Sequence, residues 1–132
     1  MQITAAKRKT DRIVRKMQEA VGAEMARSIV LSSVTHEARR QHGLGGARTL
    51  LQGLVGSMPE GEQGEVYVPS AAFQLGPRER AVWIAAGVMV RTLREEFDEV
   101  IACKMILVSV GATRPMVQGL LDTMAEAAQP DL

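Results

Sequence analysis

Five cationic side chains near the amino terminus are the residues of this sequence best suited to a chemical task. They share one face of a helix predicted over residues 3–21, and we call them the basic stripe: Arg8, Lys9, Arg12, Arg15 and Lys16. Cations at this spacing can neutralise the phosphates of a nucleic-acid backbone. The stripe therefore predicts binding to polyanions, with a solvated helix face and a membrane-surface helix as the alternatives.

The charge of the chain is distributed unevenly, although its net value is only +1. Residues 1–48 carry ten Lys and Arg against four Asp and Glu, a net charge of +6, whereas residues 49–132 carry six against eleven, a net charge of −5. Such a field concentrates polyanions at one end of a protein and favours contacts between neighbouring copies of it. Three arginines extend the predicted nucleic-acid contacts beyond the stripe: Arg39, Arg40 and Arg48.

Two histidines and one cysteine have catalytic or metal-binding potential, but their spacing argues against both uses. His36 and His42 are six residues apart, which places them on different faces of a helix, and Glu37 is the only carboxylate nearby. Neither histidine has a nucleophile at a suggestive spacing. Cys103 lies in an apolar run, which predicts a reduced, buried thiol. We therefore expect no catalytic residue, no metal, no cofactor and no enzymatic activity.

The elements that position these side chains are predicted to be helices. Only four residues of the chain are aromatic, whereas Ala, Leu, Val and Met abound, and this composition favours packed helices. Periodicity and capping signals predict helices over 3–21, about 23–41, 47–55, 77–97, 100–110 and from Pro115 onwards. The run 100–110 also fits a buried strand, but no partner strand of comparable quality is visible.

The resulting fold prediction is an all-α, compact bundle of about five to six helices with one long Gly/Pro-rich loop over 56–77. A single helical domain, 1–132, is expected from the length. In the first helix the periodicity places six residues inward, with Val14 at their edge: Ile3, Ala6, Ile13, Met17, Ala20 and Val21. Aromatic residues are absent from 1–66, so no stacking ring is predicted beside the cations, and contacts should be to the backbone and independent of sequence.

The sequence shows neither a secretory signal pattern nor an uncharged apolar run of about 18 residues. Together with the lone cysteine, this predicts a cytoplasmic protein without a membrane partner.

Residues 36–51 have the sequence HEARRQHGLGGARTLL. In size, charge and this stretch the chain resembles the small subunits of multi-protein CRISPR effector complexes of type III or type IV. In type III relatives a helix commonly ends in a polar residue, followed by Gly-Leu and a short leucine-bearing helix. Gln41-His42-Gly43-Leu44, followed by Leu50 and Leu51, is similar.

The resemblance implies a non-catalytic part in antiviral defense. Several copies would line a helical ribonucleoprotein, contact guide RNA or the target strand through backbone charges, and dock on larger backbone subunits. A small helical adaptor that binds an acidic protein partner is the alternative, because the basic stripe would serve it equally well. The choice between RNA and DNA stays open.

Overall fold

Five helices dominate the computed structural model, which describes residues 2–62 and 75–128. In chain order they are α1 (Ile3–Val21), α2 (Ala23–Val55), α3 (Pro77–Arg94), α4 (Glu99–Ser109) and α5 (Arg114–Ala128). No strand occurs within these residues, and the prediction of an all-α bundle of about five to six helices is confirmed. None of the described helices is long and apolar enough to cross a membrane.

Helix α2 is the central element, since it packs against all four other helices. Its first half is buried on nearly every side, and two of its buried hydroxyls donate hydrogen bonds: Ser32 Oγ to the Ser28 carbonyl at 3.0 Å and Ser33 Oγ to the Trp83 carbonyl at 2.7 Å. We predict two separate helices here, over 23–41 and 47–55. The structure has two helical segments on either side of a kink at Gly43, where φ is 75°, so the predicted break is present but is confined to one residue. This left-handed conformation favours glycine.

Helix α1 is amphipathic, but its buried face differs from the predicted one. The buried residues are Ala6, Thr10, Val14 and Met17. Ile3 and Ala20, both predicted to face inward, are exposed, whereas Val14, predicted at the edge, is fully buried. The polar Thr10 was the least expected member. Its hydroxyl is partnered in the interior, because Oγ1 donates to Sδ of Met105 on α4 at 3.6 Å.

The ambiguous run 100–110 is helical, as predicted. Helix α4 covers most of it, and Asp98 caps the helix by accepting a 2.9 Å hydrogen bond from the Val100 N–H. Five of its apolar residues lie in the core, whereas Ile101 and Val108 are exposed. The buried residues are Ala102, Cys103, Met105, Ile106 and Leu107. Helix α3 ends at Arg94, three residues before the predicted end.

The described part of the predicted loop lies against the start of α5. The Arg114 N–H donates to the Pro59 carbonyl at 2.9 Å, and its Nη2 donates to the carbonyls of Gly56 and Met58, both at 3.3 Å. Arg114 also forms an ion pair with Glu60. Within the loop predicted over 56–77, residues 63–74 lie outside the described residues.

Candidate nucleic-acid interface

The basic stripe lies on the outer face of α1. All five of its side chains are exposed, and they project away from the buried residues of the helix. None of the five forms an ion pair within residues 2–62 and 75–128. The five cations of the stripe therefore face solvent and make no direct contact with a described carboxylate.

The other three predicted contacts lie on α2, on either side of its break. Arg39 and Arg40 are exposed and come three to four residues before Gly43. Arg48 follows the break and is only partly exposed, and its Nε is buried with no hydrogen-bond partner among the described residues. Arg48 is thus the least accessible of the eight predicted contacts.

Helix α3 separates the basic stripe from Arg40. The face of α3 beside α1 carries Val88, whereas the face beside Arg40 carries Trp83 and Gly87. Ile84, on the side of Arg40, and Val88, on the side of α1, are one helical turn apart and are 56% and 47% exposed, and together they form an apolar ridge along α3. The structure therefore does not bring the predicted contacts onto one surface, because Arg40 belongs to a second one.

A chain of ion pairs that the sequence did not reveal connects α2 with α3 and α4. Glu37 is only 5% exposed, and its carboxylate accepts hydrogen bonds from Arg91 Nη1 at 3.0 Å and Arg94 Nη2 at 3.4 Å. Arg94 Nη1 also lies 3.6 Å from Glu99, whose second oxygen is 2.6 Å from Nε2 of His42. Two guanidinium groups offset the cost of burying the Glu37 charge.

Cys103 and His42 do not form a nucleophilic pair. Burial, reinforced by the charge of Glu99, raises the pKa of the Cys103 thiol to about 12, so the reactive thiolate is scarce at neutral pH. The predicted burial of this thiol is confirmed. In the described ranges no group of three or more His, Cys, Asp and Glu side chains is placed to hold a metal ion.

A cleft of about 200 Å³ opens between α2 and α3, and we call it the Trp83 cleft. It is lined by Ser33, His36 and Arg40 of α2 and by Trp83, Gly87 and Arg91 of α3. The prediction that no aromatic ring lies beside the cations is wrong for Arg40. The packing of α3 on α2 brings Trp83 to the same cleft, and sequence reasoning missed this because the two residues are far apart along the chain.

A larger groove of about 550 Å³ lies between α1 and α4, on the side of α1 that faces away from α3. We call it the α1–α4 groove. Three exposed apolar side chains line it, Ile3, Ile101 and Val108, together with Lys7 and Lys104. This surface combines apolar contact area with two cations and one carboxylate, that of Asp11, which accepts a 2.6 Å hydrogen bond from Ser109.

Comparison with protein-family models, curated proteins and solved structures finds no match for the chain. The function must therefore be inferred from the helices and their charged surfaces. Of these, the basic stripe contributes five of the eight predicted contacts on one exposed helix face.

Proposed function

We propose that the protein is a non-catalytic subunit that binds the backbone of RNA or DNA without sequence preference. The observation that carries this proposal is the basic stripe, whose five exposed cations lie opposite the buried face of α1. None of them is paired with a described carboxylate, so their charge is available to a polyanion.

The length of the stripe suits several phosphates. Arg8 and Lys16 are eight residues apart, which is about 12 Å along a helix. Duplex DNA carries one charge per roughly 1.7 Å of axis, so several phosphates come within reach. Each neutralised phosphate contributes about 0.9 to the slope of log affinity against log salt for a duplex, and about 0.7 for a single strand. Five contacts therefore correspond to a duplex slope of about −4.5.

The assembly that we propose is a CRISPR ribonucleoprotein. The support is the resemblance of residues 36–51 to the small subunits of such complexes. The break at Gly43 and the buried Leu50 and Leu51 beyond it are compatible with the helix, Gly-Leu and short helix pattern of that family. In this setting the partners are guide RNA or target strand, larger backbone subunits and neighbouring copies.

Filter binding to nonspecific RNA across a salt series tests the proposal. Arg12→Glu removes one contact and adds an acid beside the phosphates, so the affinity should fall roughly tenfold and the salt slope should become shallower. Combining it with Arg15→Glu should enlarge both effects.

Arg78→Glu is the matched control, because it makes the same charge change at an exposed residue in the first turn of α3. An acid there suits the helix dipole, so folding should be maintained. We expect its affinity to stay within about twofold of the parent. An affinity that does not respond to salt, or an equal loss in the control, would contradict nucleic-acid binding by the stripe.

The α1–α4 groove favours a second candidate function, an adaptor that binds an acidic protein. Ile3, Ile101 and Val108 offer apolar contacts, and Lys7 and Lys104 offer partners for carboxylates. An amphipathic helix with acidic residues along its edges fits such a groove.

Pull-down before and after nuclease treatment separates the two functions. A partner held by the groove survives the nuclease and is lost on Lys104→Glu, whereas partners held through nucleic acid disappear with the nuclease.

A further inference from the structure

The Trp83 cleft places an aromatic ring and two arginines around one opening, a combination absent from the basic stripe. The rings of Trp83 and His36 lie 5.5 Å apart between centroids and are tilted by 53°. Ser33 Oγ donates to the Trp83 carbonyl at 2.7 Å, which fixes this turn of α3 against α2. Trp83 as a residue is partly buried, packs against the core and lines the opening of the cleft.

Gly87 keeps the floor of the cleft open. It is buried in the middle of α3, and a Cβ at this position would come within 3.6 Å of Arg91 Nη1, 3.8 Å of Ser33 Oγ and 3.9 Å of Glu37 Oε2. These are ordinary contact distances, so a methyl group would fit but would occupy space that is now empty. Glycine costs stability in a helix interior, and here it leaves room between Trp83 and Arg91.

The cleft is positively charged despite the presence of Glu37. That carboxylate is already bonded by Arg91 and Arg94 and is almost completely buried. The Arg91 side chain is 42% exposed, and the exposed Arg40 forms no ion pair within the described ranges. An anion that approaches the cleft therefore meets the accessible guanidinium groups of Arg40 and Arg91. The Glu37 carboxylate lies behind them and is already bonded to Arg91 and Arg94.

We propose that the Trp83 cleft binds an unstacked base of single-stranded nucleic acid, with the flanking phosphates on Arg40 and Arg91. The volume of about 200 Å³ is below the roughly 300 Å³ at which pockets hold whole ligands, and so suits one planar ring system. Stacking on an aromatic ring is tolerant of sequence because every base has a π face. Arginine binds phosphate in a fixed, planar geometry.

This inference rests on the proposed function and deepens it by naming the ligand class. A base within a duplex is stacked and paired, so it cannot enter the cleft without leaving the helix. The basic stripe should bind both single and double strands, whereas the Trp83 cleft should add affinity for single strands alone.

Trp83 is the only tryptophan of the chain, so its fluorescence reports directly on the cleft. The full-length protein is titrated with an oligouridine of about 15 nucleotides, and in parallel with an RNA duplex of the same length. We expect the single strand to quench the emission with the same dissociation constant that filter binding gives. The duplex should bind without changing the emission.

Three variants locate the effect. Arg40→Gln should lower single-strand affinity about fivefold or more in filter binding and duplex affinity by less, because an exposed arginine also attracts duplex phosphates. Trp83→Leu should lower single-strand affinity about fivefold or more and leave duplex affinity unchanged. Gly87→Ala should do the same by narrowing the cleft, while the helix becomes more stable. Arg78→Gln, which removes a charge outside the cleft, is the control. Arg40→Gln protects the test against misfolding of the tryptophan variant, since it alters an exposed side chain.

The outcomes separate this inference from the proposed function. Binding of both RNAs with no change in tryptophan emission, or an equal loss of single-strand and duplex affinity in Arg40→Gln and Gly87→Ala, would overturn the base-binding cleft and leave backbone binding intact. If neither RNA binds in a salt-dependent manner, the proposed function fails and the cleft proposal fails with it. Selective loss of single-strand binding together with quenching supports both.

Discussion

The basic stripe of α1 and the Trp83 cleft both present arginine side chains, but the fold holds them in opposite ways. The stripe consists of exposed cations on one helix that have no carboxylate partner among the described residues. In the cleft, Arg91 is anchored to the buried Glu37, and Trp83 is fixed through Ser33. The stripe thus depends on one helix, whereas the cleft exists only because two helices pack together.

This difference predicts where substitutions affect stability and where they affect binding. A cation that contacts only solvent can be removed at little cost to folding, while one bonded to a buried carboxylate cannot. The arginines of the two surfaces should therefore respond differently to the same change, and unfolding experiments can measure this.

The largest expected effect is that of Glu37→Gln. The substitution removes the charge that both Arg91 and Arg94 contact, and since a hydrogen bond to a charged group contributes about 1.5–3 kcal/mol, we expect a loss of about 2–3 kcal/mol. Urea unfolding followed by circular dichroism measures the loss. Glu19→Gln, at an exposed residue of α1, is the control and should change the free energy of unfolding by less than about 0.5 kcal/mol. Equal values for the two variants would show that the chain of ion pairs does not stabilise the bundle.

A smaller effect is expected for Arg91→Gln. It loses a 3.0 Å hydrogen bond to a charged group, and because the Arg91 side chain is 42% exposed, we expect about 1.5 kcal/mol of destabilisation, at the low end for such bonds. Arg8→Gln removes the same charge from the basic stripe and should cost less than about 0.5 kcal/mol. Thermal unfolding of both variants compares the two surfaces directly. The distinction drawn here fails if Arg8→Gln is as destabilising as Arg91→Gln.

Gly87→Ala should stabilise the protein by about 0.5–1 kcal/mol. Alanine has the higher helix propensity, and the Cβ makes only ordinary contacts in the cleft. Gly43→Ala is the contrasting variant, because φ of 75° strains an alanine although the space around it is open. It should be destabilising. A fall in melting temperature for Gly87→Ala would mean that the floor of the cleft is more tightly packed than its distances indicate.

The smallest effect on stability is expected for Arg12→Glu, and its sign is the reverse of that for Arg91→Gln. Arg12 lies four residues from both Arg8 and Lys16, and like charges at this spacing in a helix repel each other. A glutamate at position 12 therefore replaces two repulsive charge pairs by two attractive ones. Each such pair contributes about 0.2–0.5 kcal/mol to a helix. The melting temperature should rise slightly while RNA affinity falls, and measurement in high salt should abolish the rise.

Features with a local cause were predictable from the sequence. The spacing of the stripe fixes its position opposite a buried face, and the apolar run 100–110 corresponds to most of α4. Even in α1, however, the apolar periodicity did not identify which turns of the helix are covered by other helices. Ile3 follows the apolar period but faces the open α1–α4 groove, whereas the polar Thr10 finds a sulfur partner in the core.

The Trp83 cleft was not predictable from one sequence. Glu37 and its two arginines are 54 and 57 residues apart, and Ser33 and Trp83 are 50 residues apart. The hydrophobic periodicity of α2 or of α3 indicates which face of that helix is apolar. It contains no information about which turn of one helix contacts which turn of the other. Long-range packing decides this, and with it the surroundings of Arg40.

The exposed ridge of Ile84 and Val88 has a consequence for the size of a nucleic acid that can use both surfaces. A strand that leaves α1 must cross the breadth of one helix, about 10 Å, over side chains that offer its phosphates no counter-charge. Nucleic-acid fragments that are too short to cross α3 bind either the basic stripe or the Trp83 cleft, but not both at once. Longer strands bind both sites, because binding at one site raises the effective concentration of the strand at the other site. Affinity should therefore increase abruptly at a threshold length.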